Sequence, residues 1–194
     1  MLHPEEWGPE LAKIPGGLGS RGAVVLLVAF QKPIDTSLVV GVKSFAPGAH
    51  PLLSKIVHDS AKPERASSSG GYDLWVVHST PEYAHSHLVG EQLDDPEAVQ
   101  EEMLDAFLET VGVSFGTPQV AHKSVMAWDH AQPEEDKRLG STHLLESTRR
   151  VGLCGDFFCG GRAEGVEAAA LSGLSLAESL AALISRRALD PDLG

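Results

Sequence analysis

Ala23-Val24-Val25-Leu26-Leu27-Val28-Ala29-Phe30 is the longest apolar run in the chain, and it sets the terms for the fold. Its eight residues fall far short of the roughly 20 that a bilayer crossing takes. Rich in β-branched side chains, with Gly22 before it and Lys32-Pro33 after it, the run is predicted to be a buried strand. A strand apolar on both faces needs sheet neighbours on its edges and cover on its surfaces. Lys32 to Asp35 reads as a turn and Leu38 to Val42 as its hairpin partner, which is antiparallel grammar, and Leu52 to Val57 reads as a third short strand. Residues 1–22 hold Pro4, Pro9, Pro15, Gly16, Gly17, Gly19 and Gly22, and are expected to be irregular.

Further along, Tyr72 to His78 is strand-like, and Ser79-Thr80-Pro81-Glu82 supplies a hydroxyl cap with Pro at a first helical position. A short helix to about Leu88 follows from it. Asp94-Asp95-Pro96-Glu97 repeats the start signal, and Val99, Met103, Phe107 and Val111 then recur at every fourth residue with Leu104 and Leu108 beside them, until Gly112. Ala61 to Gly71 reads as a surface loop, Gln119 to Trp128 as a strand and Gln132 to Gly140 as a charged loop. Arg150 to Asp156 is a short apolar strand ending in Gly-Asp, and Phe157 to Arg162 a glycine-containing connection. A long helix from about Glu164 to Arg187 closes the chain, its broad apolar face carrying Val166, Ala169, Ala170, Gly173, Leu174, Ala177, Leu180, Leu183 and Ile184. These elements predict an α+β fold, derived from an α/β arrangement, with a largely antiparallel sheet and packed helices. The expected organisation is an N-terminal segment (1–22), a sheet-and-helix region (23–147) and a terminal strand-turn-helix (148–189).

With 194 residues, 42% of them hydrophobic and 22% charged, the chain has the material for an ordinary globular core. A net charge of -12 leaves no basic face for phosphates, which argues against nucleic acid or an anionic membrane as main partner. The two cysteines, Cys154 and Cys159, form neither a disulfide framework nor a CxxC pair. No secretory signal or transit peptide is read in the opening residues, so the cytoplasm or another reducing compartment is expected. Cys154 is expected to be buried in its strand, and Cys159 to be an ordinary thiol in the turn. His78, His85 and His87 fall close together, but side chains two residues apart on a helix diverge, and no metal site is expected. No GxSxG occurs to support hydrolase chemistry.

The terminal strand-turn-helix carries the chemistry. Backbone N–H groups at a helix start, with the positive end of the helix dipole, receive electron-rich ligand groups. Gly160, Gly161 and Gly165 would let such a ligand approach the main chain, and Asp156 would accept hydrogen bonds from ligand hydroxyls. The same glycines also serve plain backbone geometry, and Ala169 and Gly173 close helix packing, so the pattern by itself leaves binding and packing open.

Gly155-Asp156-Phe157-Phe158-Cys159-Gly160-Gly161-Arg162-Ala163-Glu164-Gly165, continued by Ala170-Leu171-Ser172-Gly173 and Ala177, resembles the C-terminal flavin-contacting segment of renalase-like FAD/NAD(P)-binding oxidoreductases, related to the flavin amine oxidases. Leu74 to Ala84, and the helix starting near Asp95-Pro96-Glu97, resemble a strand and helix of the same family's substrate domain. Ala29 to Pro33 and His58 to Pro63 agree in order and spacing. The resemblance implies an FAD cofactor, with NAD(P)H or a small organic molecule as substrate. It places Asp156 near the ribityl chain and Gly155, Gly160, Gly161, Arg162, Glu164, Gly165 and Val166 among the cofactor contacts, where the helix start would stabilise negative charge at N1/O2 of reduced flavin. It assigns no catalytic residue. Trp128 takes the place of a basic-aromatic pair near the flavin only with a shift.

Such enzymes open with a strand, GxGxxG and a helix that hold the ADP part. Here Gly17-Leu18-Gly19-Ser20-Arg21-Gly22 has the letters but precedes a strand instead of following one. The chain is therefore expected to correspond to a C-terminal portion, to bind FAD weakly or not at all by itself, and to be inactive in isolation. The alternative is a non-catalytic binding or interaction module. In either case the terminal strand and helix are expected to expose apolar surface and to favour self-association.

Overall fold

The apolar run becomes an inner strand of a five-stranded sheet. In the computed structural model, β1 (Ser20–Phe30) lies between β4 (Asp73–Ser79) and β7 (Val120–Pro133), and the order continues from β4 through β3 (Leu53–His58) to β2 (Val42–Ser44). The structure describes Leu11, Ile14 and residues 18–35, 41–65, 70–90, 92–113, 118–158 and 165–189, with only the backbone at 135 and 186–189. They fall into two compact units, one of Arg21–Ala131 and one of Met1–Ser20 with Gln132–Gly194. The class is α+β, with a mostly antiparallel sheet, as the sequence predicts.

Register in the first unit follows from which side chains must be dry. β1 and β4 pair antiparallel with Leu26 opposite Val77, Val28 opposite Trp75 and Phe30 opposite Asp73, so alternate residues of both strands share one face. Leu53 and Ile56 of β3 join that face in the core. Two helices stand over it. In α1 (Pro81–His87), the Thr80 hydroxyl accepts from the Tyr83 amide at 3.2 Å, with Pro81 in the first turn. In α2 (Pro96–Thr110), Asp95 accepts from Ala98 N at 3.0 Å. The four-residue repeat does what it predicts: Val99, Met103 and Phe107 are fully buried, and Phe107 packs on Phe30 and Trp75 with centroids 6.2 and 5.3 Å away. Gly112, at φ +72, ends the helix in the left-handed region. Beyond α1, a two-stranded ribbon of β5 (Leu88–Val89) and β6 (Gln92–Leu93) leads into α2.

Three expectations are corrected here. Val42 does not face β1: it pairs with Val57 of β3, and β1 takes β4 and β7 as neighbours. The chain is led away from β1 because Ile34 N is held by Asp73 and Gln31 N by Gln119 O, while residues 36–40 lie outside those described. β7 continues past Trp128 to Pro133, so the charged segment begins later, in a 3₁₀ turn at Glu135–Lys137. Ser20, Arg21 and Gly22 belong to β1, not to the irregular start.

In the second unit, β8 (Leu144–Glu146) and β9 (Val151–Leu153) form an antiparallel hairpin whose turn puts Arg150 at φ +58, and α3 (Gly165–Leu189) packs on β8. Cys154 falls just past β9 and is exposed, not buried, because the strand stops after three residues. The face of α3 is also corrected. Ala168, Ser172 and Leu176 are the buried positions, whereas Val166, Leu174 and Ile184 are 88%, 62% and 67% exposed. Ser172 turns inward because its hydroxyl has two partners there, donating to Thr142 O at 2.7 Å and accepting from Gly155 N at 3.0 Å. Leu176 turns inward because Gly152 makes room, since a Cβ there would sit 2.9 Å from its side chain. The stretch Gly165–Ser185 is also long and apolar enough, by length and composition, to cross a membrane.

Phe107→Ala, which empties a site shared by two other aromatic rings, is expected to lower unfolding free energy by about 3–5 kcal/mol in urea denaturation. Val89→Ala, at an exposed position, should change it by less than about 0.5 kcal/mol in the same assay.

Candidate functional site

Past β9 the chain makes a tight turn, with Phe158 N donating to Gly155 O at 3.3 Å and Leu139 N donating to Phe157 O at 2.8 Å. Asp156 sits in that turn, half-buried. The Phe157 and Phe158 rings contact each other, 4.8 Å between centroids. The turn is tied to α3 through Gly155 N and Ser172 Oγ, two helical turns beyond the helix start rather than at it. Gly165 opens α3 at φ +56, with no atom of the described residues within 4 Å of where a Cβ would stand, and Val166 beside it is exposed. Gly160, Gly161, Arg162 and Glu164 lie outside the described residues, as does Cys159.

These positions fit a flavin in part. Asp156 offers a half-buried carboxylate beside a strand end, and Gly165 opens a helix with none of the described residues crowding its Cα. Gly155 does not fit as a donor: its N–H is already committed to Ser172, and the Phe157 ring fills the space a ligand would need, 2.4 Å from an added Cβ. No protein-family model matches the chain, and no curated protein matches it. The family resemblance rests on the quoted residues alone.

Two polar clusters went unread in the sequence. In the second unit, Ser175 Oγ lies 3.0 Å from His143 Nδ1 and 2.9 Å from Thr142 Oγ1. With the Ser172 bonds, they knit α3 to the segment before β8 by hydroxyls instead of by apolar contact. In the first unit, the Asp73 carboxylate is 3% exposed and has three donors: His58 Nε2 at 2.6 Å, Trp75 Nε1 at 2.9 Å and Ile34 N at 3.1 Å. The His58 and Trp75 rings stack in parallel, 4.0 Å apart. Donation from Nε2 to the carboxylate fixes the imidazole's orientation. Such an arrangement orients an imidazole for proton transfer, and equally pins three chain segments. Its signal in the sequence is an acid at a core-facing position, since Asp73, Trp75, Val77 and Ser79 alternate inward along one strand.

The three neighbouring histidines have separate surroundings. His78 is on β4 opposite Val25, His85 is exposed on α1, and His87 packs against Tyr83 with the rings tilted and their centroids 4.5 Å apart, and lies 3.3 Å from Asp94. Among the described residues no group of three or more His, Cys, Asp or Glu side chains could hold a metal ion. Tyr83 donates to Glu102 at 2.7 Å, and burial, followed by that carboxylate, pushes its phenol above the ordinary range. Trp128 lies on β7, half of it exposed, and Lys123 of the same strand pairs with Glu101.

Asp73→Ala leaves three donors without their acceptor and is expected to cost about 3–5 kcal/mol of stability in urea unfolding, more than Asp73→Asn. His78 gives a pH signature. Burial, and then Lys55 nearby, lower its pKa from the ordinary 6.5. The unfolded chain therefore takes up the proton at higher pH than the folded one. The stability His78 contributes is fully present above pH 6.5 and is lost as pH falls through the window below it. His78→Asn should flatten the fall in unfolding free energy over that window.

Proposed function

We propose that the chain is a C-terminal portion of an FAD-dependent oxidoreductase of the renalase-like, amine-oxidase-related kind. The observation that carries this reading is the Gly155-Asp156 turn shortly past β9, followed by the long helix α3 that opens on a glycine, Gly165, in the left-handed region. The α+β order, antiparallel sheet first and strand-turn-helix last, supports it. When bound, the flavin would supply hydride transfer with NAD(P)H or a small organic molecule. Asp156 would accept hydrogen bonds from the ribityl hydroxyls, and the free amides at the start of α3, near Gly165 and Val166, would face the electron-rich edge of the ring. Gly160, Gly161, Arg162 and Glu164 belong to the same proposed contact set by sequence. The Ser172 bond leaves Gly155 with a supporting part: it anchors the turn that presents Asp156. A reducing compartment such as the cytoplasm suits the exposed Cys154 thiol.

A second reading, a non-catalytic interaction module, is favoured by one observation: α3 turns its large apolar side chains outward.

The two readings are tested in a titration of the purified chain with FAD, followed by quenching of flavin fluorescence. The first expects weak binding or none by the chain alone; saturable one-to-one binding would mean that this segment suffices for a site, and Asp156→Ala should then weaken it by about tenfold or more, the worth of hydrogen bonds to a charged group. Thermal unfolding of the variant should match the parent. Equal affinity of parent and variant removes Asp156 from the site. A folded chain that takes up no FAD is a remnant or an interaction module, with the flavin chemistry belonging only to a longer form.

A further inference from the structure

Residues 44–54, which turn the chain from β2 into β3, hold a single titratable side chain, His50. Its Nδ1 accepts from the Leu52 amide at 3.1 Å and from the Leu53 amide at 2.9 Å. Its Nε2 lies 3.4 Å from Thr110 Oγ1, on the last residue of α2. That hydroxyl gives its own hydrogen to Ala106 O at 2.7 Å, so toward the ring it is an acceptor and Nε2 is the donor. Each ring nitrogen thus has one role, and the partners fix His50 as a neutral imidazole with its hydrogen on Nε2. Leu52 and Leu53 are core residues, 7% and 0% exposed, whose amides need an acceptor. The same few residues seat α1, since Leu52 O accepts from the Thr80 amide at 2.8 Å and Pro51 O from the Thr80 hydroxyl at 3.3 Å.

We propose that His50 is a proton-operated clasp that holds the loop between β2 and β3 to the end of α2. The imidazolium ion carries a hydrogen on each nitrogen and has no acceptor. Protonation therefore sets an N–H at Nδ1 against two amide N–H groups, and the ring leaves both amides and Thr110. The β3–β4 ladder beyond, with Ile56 opposite Val77 in the core, is not part of the clasp. The ring's hydrogen-bond partners are all uncharged, and Phe45 tilts against it with centroids 5.2 Å apart. The charged or titratable groups nearest to these contacts along the surrounding elements are Lys43 of β2, 5.1 Å from the centre of the Phe45 ring, Lys55 of β3, His78 of β4, Glu82 of α1, and Asp105 and Glu109 of α2. The lysines oppose an imidazolium. The three carboxylates are exposed, where water and salt weaken their pull on it. The proposal does not depend on the cofactor reading.

The test is NMR on the full chain. At about pH 7.5 the ring-nitrogen shifts of His50 should report the tautomer with hydrogen on Nε2. Between about pH 7.5 and about pH 5, the range over which imidazoles take up a proton, exchange protection of the Leu52 and Leu53 amides should fall by about tenfold or more relative to that of Val77. His50→Asn places an oxygen where Nδ1 stands, one that takes up no proton in this range, and should keep that ratio constant. His50→Gln, whose oxygen reaches toward Thr110 instead, should show the low ratio at both ends. Reference to Val77, with His78 present in every chain, removes acid effects that act on the whole sheet. A ring with its hydrogen on Nδ1, or a parent ratio that holds through the acid range, would overturn the proposal, and both are read without any substitution. A His50→Asn chain that loses the ratio as the parent does would overturn it as well.

Discussion

The carboxylate of Asp73 is the point on which the sheet unit depends. Buried at the start of β4, it is a polar group that the interior tolerates only when hydrogen-bonded, and its three donors come from separate parts of the chain. Ile34 N is the exit of β1, His58 the end of β3, and Trp75 the next inward residue of β4 itself. Satisfying one acid therefore fixes where two neighbouring strands stop and how the indole lies. That indole is the floor on which Phe107 of α2 rests, so the helix inherits its seat from a polar interaction beneath it. Hydrophobic area supplies the bulk of the driving force, but it does not choose among sheet registers that bury similar amounts. A lone carboxylate with three fixed donors does choose.

In the other unit the same logic runs in reverse. Hydroxyls at Ser172 and Ser175 hold α3 to the segment before β8, and Gly152 accepts Leu176, so the inner face needs few large side chains. What remains for the outer face is apolar. The hydrogen-bonded inner stripe and the exposed outer one thus arise from one choice of helix rotation, and the rotation is set by the Gly155 amide and the Thr142 carbonyl, both of which Ser172 satisfies.

The sequence was most legible where structure is local. Thr80 and Asp95 cap the helices their residue types announce, and Val99, Met103 and Phe107 are buried as their spacing dictates. Pairing was less legible, because alternation identifies a strand without naming its neighbour, and β1 found partners at β4 and β7 rather than in the nearest segment. The rotation of α3 was misread for a definite reason: an apolar stripe signals burial only if nothing polar has a better claim, and the claims of Ser172 lie 17 and 30 residues away. For the candidate site, Asp156 and Gly165 were found at a strand exit and a helix start, as read. That Gly155 spends its amide on Ser172 rests on a tertiary contact that no local pattern encodes. Asp73 had a readable signal, an acid in phase with core residues, but its partners did not.

The position of β1 has a consequence for synthesis. Its most hydrophobic stretch emerges before its partners: Val25 pairs with His78 and Phe30 with Asp73, and β7, on its other edge, comes later still. At translation rates of roughly 5–20 residues per second, the first partner appears on the order of 3–10 seconds after β1. For that interval an apolar, β-prone segment with two open edges waits in the nascent chain. A chaperone that shields residues 23–30 during those seconds would serve this protein more than one acting on the finished fold, and soluble yield should depend on how fast the stretch up to Ser79 is translated.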